Sequence, residues 1–467
     1  MNKIIIMAYS NNSWFPLINP DPFVQGLSNA LTRMGNNVES IILNDYVQDE
    51  VNKKIVFCKP DLIVSFNGAG ISKKIIENTN CPVIINICDS LFYLNGSDII
   101  KSEMERFYFI TGACEYIGQI KSAFPDIKQN HIAYLGHVTD LRKKDIEQDI
   151  PVSFVGSLGN WDKSIELYWR RIASITDFAD KNKVRKLIEI KEAFQDQIKA
   201  FSSDPLDISV LRNPALKEFF RYTNGRKYEQ AVVILRTCNL RYAVLEQLTD
   251  LGLKIFSVPF AMPDVIRYNF KMFECFDLTS SVTLADSEIT FNRSKLSLNL
   301  PHGQAKNSFS WRVPDVLASN ACLLSHYSTE LKDLLADYID IPMYESPAEA
   351  RELVQKLLKD EAWRKDIVVA SQQMIEDKCR FEQRLRKVAE KTGLRLETPN
   401  GKGEQKLVRK EKTEKMSDVP VSIFTPPVSL FTENIFRHFF KIMTFFILSK
   451  KKRKYLRKRF SLGKKYE

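Results

Sequence analysis

Short, almost continuous apolar runs alternate with segments whose apolar residues recur at helical spacing, and this rhythm restricts the fold more than any other feature of the chain. KIIIMAYS is an apolar run of strand length, and DPFVQGLSNALTRMG follows it with helical periodicity and closes on Gly35. NVESIILND, PDLIVSFNG and CPVIINICDS read as further strands, with GISKKIIENTN helical between the last two. RFYFITGA, EYIGQIKSAF and HIAYLGHV carry the series towards residue 150. Strands that alternate with helices predict a parallel sheet wrapped on both faces. Runs without polar alternation are what strands buried on two sides require. The expected fold class is therefore α/β.

A second unit opens at IPVSFVGSLGNWDK, an apolar strand that ends in a glycine-containing loop. A long helical stretch follows at about 163–247, and the α/β rhythm returns with GLKIFSVPF, KLSLNLPH, ACLLSHY and IPMYES. A helix from about Pro347 to Leu358 and a long charged helix to about Thr392 end this unit. At 467 residues the chain exceeds a typical single core. The expected organisation is an N-terminal Rossmann-like domain over 1–150 and a second domain over 151–395, the latter carrying the helical insertion. Beyond it, ETPNGKGEQKLVRKEKTEKMSDVP is polar and charged, which predicts a disordered linker over 396–430.

The net charge of +11 belongs to the chain's end. From Phe436 to Glu467 there are twelve Lys/Arg and one Glu, which leaves 56 basic and 56 acidic residues in the neutral body. Composition thus gives the folded part no nucleic-acid signature. In TENIFRHFFKIMTFFILSKKKRKYLRKRF a helix would gather Asn434, Arg437, His438, Lys441 and Thr444 on one side. Ile435, Phe436, Phe439, Phe440, Met443 and Phe446 would lie largely opposite. A nucleic-acid tail or a docking helix for a protein partner would share the charge, but the density of phenylalanine favours a membrane interface. Residues 431–467 are expected to lie on an anionic membrane surface, with no nucleic-acid partner.

Eight scattered cysteines without a Cys-x-x-Cys predict free thiols of a reducing cytosol, most of them buried in strand-like runs, Cys88 among them. The five histidines have no metal-ligand spacing, so no metal site is expected. MNKIIIMAYS is too short an apolar run for a signal peptide and reads as a first strand. No run approaches the roughly 18 apolar residues of a spanning helix. A cytoplasmic protein, peripherally associated with the inner face of the membrane, is expected.

Chemistry concentrates in KLSLNLPHGQAKNSFSWRVPDVLASNACLLSHY, which reads strand, polar loop, short helix, strand. In an open α/β sheet, ligands bind beyond the carboxyl ends of the strands. Pro314 suits the first helical turn and Asn320 its end. The backbone N–H groups where the helix starts, at Val313, would form an anion site with the helix dipole. Arg312 beside them can add bidentate contacts to a phosphate. Asp315 can accept hydrogen bonds from ribose hydroxyls farther along a nucleotide, or simply favour the helix dipole. Lys163 and Lys295 are further phosphate candidates. In the first domain, His137 in YLGHVTD and Asp89 in ICDSLFY follow strand ends, where either can act as a base or orienting group near an acceptor hydroxyl.

These residues resemble a known group. From FNRSKLSLNL through WRVPDVLASNACLLSHYSTELKDLL to IPMYESPAEARELVQKLLKDEAWRKDIVVAS, the chain resembles the C-terminal domain of the CgeB-like bacterial glycosyltransferases, relatives of the large family-4 class (glycosyl transferases group 1). The shared features are Ser294, Lys295 and a strand-ending Asn299, then Arg312, Asp315, Leu317 and Ala318, then Glu330 and Leu331. VSFVGSL resembles the strand that opens that domain. The resemblance spans about 151–390 and implies a GT-B fold, two Rossmann-like domains facing a cleft. It implies a nucleoside-diphosphate-sugar donor on the second domain, an acceptor on the first, no separate cofactor, and retention of anomeric configuration. In the related class two glutamates stand eight positions apart; Asp315 holds the place of the second, and Asn307 that of the first. No Asp-x-Asp occurs, so basic groups rather than a metal are expected to meet the diphosphate. The implied activity is transfer of a sugar to a lipid-linked or other surface glycan. A non-catalytic GT-B-like scaffold and a nucleotide-sugar epimerase are the alternatives.

Overall fold

The structure, a computed structural model, describes residues 2–9, 22–158, 180–182, 185, 237, 238, 240–257, 265, 269–277, 283–300 and 307–408. Most of the helical insertion, the linker beyond residue 408 and the tail at 431–467 lie outside the described residues. Six strands of the first domain are β1 (Lys3–Ala8), β2 (Asn37–Ile42), β3 (Leu62–Phe66), β4 (Val83–Ile87), β5 (Phe107–Thr111) and β6 (Ile132–Tyr134). The second domain contributes β7 (Ile150–Val155), β8 (Leu253–Phe256), β9 (Ser294–Asn299), β10 (Cys322–His326) and β11 (Met343–Tyr344). A last strand, β12 (Gln405–Val408), follows the final helix.

Both sheets are parallel, in the orders β12-β2-β1-β3-β4-β5-β6 and β11-β10-β9-β7-β8. The first sheet sorts its apolar residues by alternation. Ile5, Met7, Ile63 and Ile85 enter one layer, while Ile4, Ile6, Val64 and Ile84 enter the other. Successive side chains of a strand point to opposite faces, so a continuous apolar run is used on both sides. Each such side chain contributes roughly 1.5–3 kcal/mol by leaving water. The second sheet and its helices form one separate core.

Two expectations about boundaries change. The long charged helix is two helices, Glu361–Lys378 and Phe381–Thr392, and the second belongs to the first domain. Phe381, Leu385 and Val388 share the layer of Val24, Leu27 and Leu31. The chain therefore leaves the second domain near Arg380, not at residue 395. Periodicity fixed which face of the helix is apolar but not which sheet it meets. Likewise β12 lies inside the stretch read as linker, paired to β2 with Val408 opposite Ile41. As an edge strand it buries Val408 and leaves Gln405, Lys406 and Leu407 exposed, so its composition resembles a loop.

The two passages between the domains are joined. Thr139 N–H donates to Cys379 O at 3.1 Å, and the buried Arg380 donates through Nη1 to Thr139 O and to Leu141 O, at 3.2 and 2.7 Å. In each sheet the chain order reverses once, between β1 and β3 and between β7 and β9. Open α/β sheets bind ligands in the crevice outside the carboxyl ends at such reversals.

Candidate functional site

At the carboxyl end of β7 two arginines converge on one loop. Arg312 donates through Nη1 to Val155 O at 2.7 Å, and Arg241 donates through Nη1 to Ser157 O. Between them stands Gly156, where a Cβ would lie 2.9 Å from Phe154 Cζ and 3.0 Å from Arg312 Nη1. Any larger residue would displace the guanidinium. Arg241 also packs 5.7 Å from the Phe154 ring centroid, and Arg312 lies 5.4 Å from that of Trp311. Burial, and then the charge of Arg312, push Arg241 down to about 10. Its Nε is buried without a hydrogen-bond partner. Two like charges drawn together away from water are an arrangement that a bound anion would stabilise. The sequence pointed to Arg312 and missed Arg241, which stands on the helical segment at 240–246 leading into β8. Its available signal was a base set among buried Cys238, Leu240, Tyr242, Val244 and Leu245.

The other second-domain residues distribute differently. Val313 opens a helix of five residues, Val313–Leu317, and its N–H already bonds Ser310 O at 2.9 Å. The N–H group expected to meet a phosphate is thus engaged within its own turn. Asp315 is 5 % exposed and accepts a hydrogen bond from Thr139 Oγ1. The carboxylate is engaged by the first domain beside the interdomain passages, where a ribose role was expected. Asn299 does stand at the carboxyl end of β9, but it ties strands together: Nδ2 donates to Ser325 Oγ at 2.8 Å, and Tyr344 Oη donates to Asn299 O at 3.0 Å. Lys295 begins the same strand at its amino end, away from the arginine pair. There it adds, after Lys365, to the charge holding the Glu361 carboxylate below its ordinary value. Lys163 lies outside the described residues.

Opposite these groups, strand ends of the first domain reach across. His137 Nε2 lies 3.2 Å from Ser308 Oγ, and its ring centroid is 4.6 Å from that of Phe309. Burial, with Arg384 adding to it, pushes the imidazole down to about 3. A general base works best with a pKa near the working pH, so this neutral ring is a poor one. His137 instead fastens the loop that precedes Arg312. Tyr134 Oη donates to Glu330 Oε1 at 2.6 Å, and Cys114 N–H approaches the same oxygen at 3.4 Å. Asn307 N–H donates to Glu115 Oε2 at 3.4 Å. Phe23 meets Trp311 edge-on, with centroids 5.9 Å apart.

Asp89 lies at the rim beyond β4, its Oδ2 accepting from Asn67 Nδ2 at 2.8 Å. Cys88 beside it is exposed, since the run CPVIINICDS leaves the sheet at Ile87; the expectation of a buried thiol fails there. None of the eight cysteines is joined in a disulfide. Among the described residues no cluster of three or more His, Cys, Asp or Glu is placed to hold a metal, and no helix is long and apolar enough to cross a membrane.

Residues 241–390 match a family model described as glycosyl transferase-like. No curated protein matches the chain by sequence. Among solved structures, the chain is similar to sucrose-phosphate synthase of Thermosynechococcus elongatus, with a TM-score of 0.51, 8% identity, and 84% of this chain and 98% of that one covered. It is also similar to the β-glucosyltransferase of phage T4 in complex with UDP-glucose, at 0.41 and 14% identity over 84% and 97% of the two chains. Anabaena HepE in complex with UDP-glucose gives 0.45 and 9% identity over 84% and 100%. The chain thus has the GT-B fold, two Rossmann-like domains facing a cleft, and over residues 241–390 it is similar in sequence to the glycosyl transferase-like family.

Proposed function

We propose that this protein is a glycosyltransferase that moves a sugar from a nucleoside-diphosphate donor to a hydroxyl of a glycan acceptor. The observation that carries the reading is the Arg241–Arg312 pair at the strand reversal of the second sheet. Placed on a diphosphate, the two guanidiniums would lose their mutual repulsion and take up the charge that grows as the nucleotide departs. That role needs no metal, in keeping with the lack of an Asp-x-Asp. The family-4 resemblance favours retention, with the departing phosphate oxygen receiving the acceptor's proton on the same face of the sugar.

The acceptor is read from the sequence. The phenylalanine-rich basic segment over 431–467 supports a surface glycan carried on lipid, met at an anionic membrane. Flotation with anionic liposomes tests this: the full chain should float, and a chain stopped before Thr432 should not. Equal flotation rejects the membrane role.

Titration calorimetry with UDP-, GDP- and CDP-sugars tests the donor. Binding of one nucleotide class, weakened in Arg241→Gln and Arg312→Gln, is expected. A wild-type protein that binds none would remove the reading. Two observations favour a scaffold without turnover: Asp315 is engaged by Thr139, and Asn307 stands where the related class has its first glutamate. Donor binding without nucleotide release would select that alternative, and conversion of the donor without an acceptor would select an epimerase.

A further inference from the structure

We propose that Asn67 is a positioning residue that fixes the Asp89 carboxylate to receive the hydroxyl of an incoming polyhydroxylated acceptor, a proposal that rests on the glycosyltransferase reading. Asn67 follows β3 at the point where the first sheet reverses its strand order, the crevice in which such sheets bind ligands. Its backbone is left-handed, with φ +49, a region that asparagine enters more readily than most residues. Gly68 follows at φ +73, where a Cβ would lie 2.2 Å from Asn95 O. Asn67 N–H donates to Asn86 O, and Asn95 N–H donates to Asn67 O, both at 2.9 Å. Two consecutive left-handed residues are thus pinned from both sides.

What this turn holds is the end of β4. Asn67 Oδ1 accepts from Cys88 N–H at 3.0 Å and Asp89 N–H at 3.4 Å, while Nδ2 donates to Asp89 Oδ2 at 2.8 Å. One amide therefore sets both the backbone and the carboxylate of Asp89.

Asp89 also sits close to where the domains meet. It and Glu115 both help, after burial, to hold the buried Tyr116 hydroxyl well above its ordinary value, and Glu115 accepts from Asn307 of the second domain.

In the transfer, the acceptor oxygen bonds to the anomeric carbon as the bond from that carbon to the diphosphate oxygen breaks. The nucleoside diphosphate leaves with the electron pair and takes the acceptor's proton. Asp89 gains no proton; its ionised form orients the hydroxyl by accepting its hydrogen bond until transfer. Asn67 touches no reacting atom.

The test measures nucleotide release from UDP-, GDP- and CDP-glucose, with water and octyl glucoside as acceptors. Wild type is compared with Asn67→Gly, Asn67→Asp and Asp89→Asn. Asn67→Gly keeps the left-handed turn and removes the amide; kcat should fall on the order of a hundredfold, as for a misplaced reacting group, at unchanged donor KM. Asn67→Asp keeps an acceptor for both N–H groups but sets a second carboxylate against Asp89. Its acid limb should move to higher pH and activity should partly return there, since a like charge disfavours ionisation. Tyr116, whose hydroxyl feels Asp89, Glu115, Cys88 and Tyr93, and these neighbours themselves are the same in wild type and variant, so the difference reports the new pair. Wild-type turnover and an unshifted limb in both Asn67 variants would overturn the proposal and leave the donor reading standing. Absence of nucleotide binding by wild type would overturn both.

Discussion

At Gly156 two guanidinium groups share one loop, and their repulsion is a local cost that a bound anion would offset. Ligand sites commonly sacrifice stability in this way. Arg241→Gln should therefore leave the ligand-free protein within about 1 kcal/mol of wild type, because the lost bond to Ser157 O and contact with Phe154 are offset by relief of a charge held out of water beside Arg312. Donor affinity should fall roughly 10- to 100-fold, the worth of a hydrogen bond to a charged group. Urea unfolding and calorimetry on one preparation check both halves. His137 supplies a second prediction. Its unfolded imidazole takes a proton near 6.5, whereas the folded one does so near 3. Between these values the unfolded state binds more protons, so stability falls as pH drops from 6.5 towards 3. His137→Gln should remove that slope, worth on the order of a few kcal/mol by pH 3, when unfolding midpoints are compared between pH 7 and 4. Sequence reading pointed to Arg312 because it precedes a helix beside a strand. Arg241 could be paired with it only once β7 and β8 were known to be neighbours. Spacing put Asp315 on the short helix but could not reveal that Thr139 crosses to meet it.

Elements were more legible than residues wherever their burial was two-sided. Each strand of the first sheet up to β6 stands out because both of its faces are apolar, and three of the helices between them because one face is, while the helices Gln48–Cys58 and Ser97–Ser102 escaped the sequence reading. No such pattern marks β12, whose single buried residue is Val408. Nor does pattern assign the helix Phe381–Thr392, whose Phe381, Leu385 and Val388 form an apolar stripe that fits either domain. The edge strand nevertheless covers backbone that would otherwise be open. Val38 N–H donates to Glu404 O at 2.8 Å, and β12 continues the pairing along β2. A chain stopped at Lys402 should thus lose protection from amide exchange over residues 37–42, while a chain stopped at Lys410 should keep it. Hydrogen-exchange mass spectrometry of the two reads the difference directly. Equal protection would mean that β12 does not pair with β2 in solution. An unpaired β2 edge should also make the shorter chain more prone to associate.

At the level of the whole molecule, two sheets with one strand reversal each are joined by two chain passages and several contacts from strand ends to facing loops. Their chemistry is uneven. Thr139–Asp315 lies beside the passages themselves and moves little if the domains part, whereas Tyr134–Glu330 joins β6 to the start of the helix Thr329–Leu335. Burial, and then Glu330, hold the Tyr134 phenol above its ordinary value, so it remains a donor throughout the physiological range. Removing that donor leaves the carboxylate only the more distant Cys114 N–H from the first domain among the contacts described above. Tyr134→Phe should cost about 1.5–3 kcal/mol, the range for a hydrogen bond to a charged acceptor. Glu330→Gln keeps an acceptor and should cost less. The double variant should cost clearly less than the sum, because the second substitution has no bond left to break. The same variants should expand in solution scattering if this contact closes the cleft, and a bound nucleotide sugar should reverse the expansion by drawing the domains together. Additive unfolding energies with unchanged scattering would place the closing force elsewhere, in the Phe23–Trp311 and His137–Ser308 contacts, where Trp311→Ala would then produce the expansion that Tyr134→Phe did not.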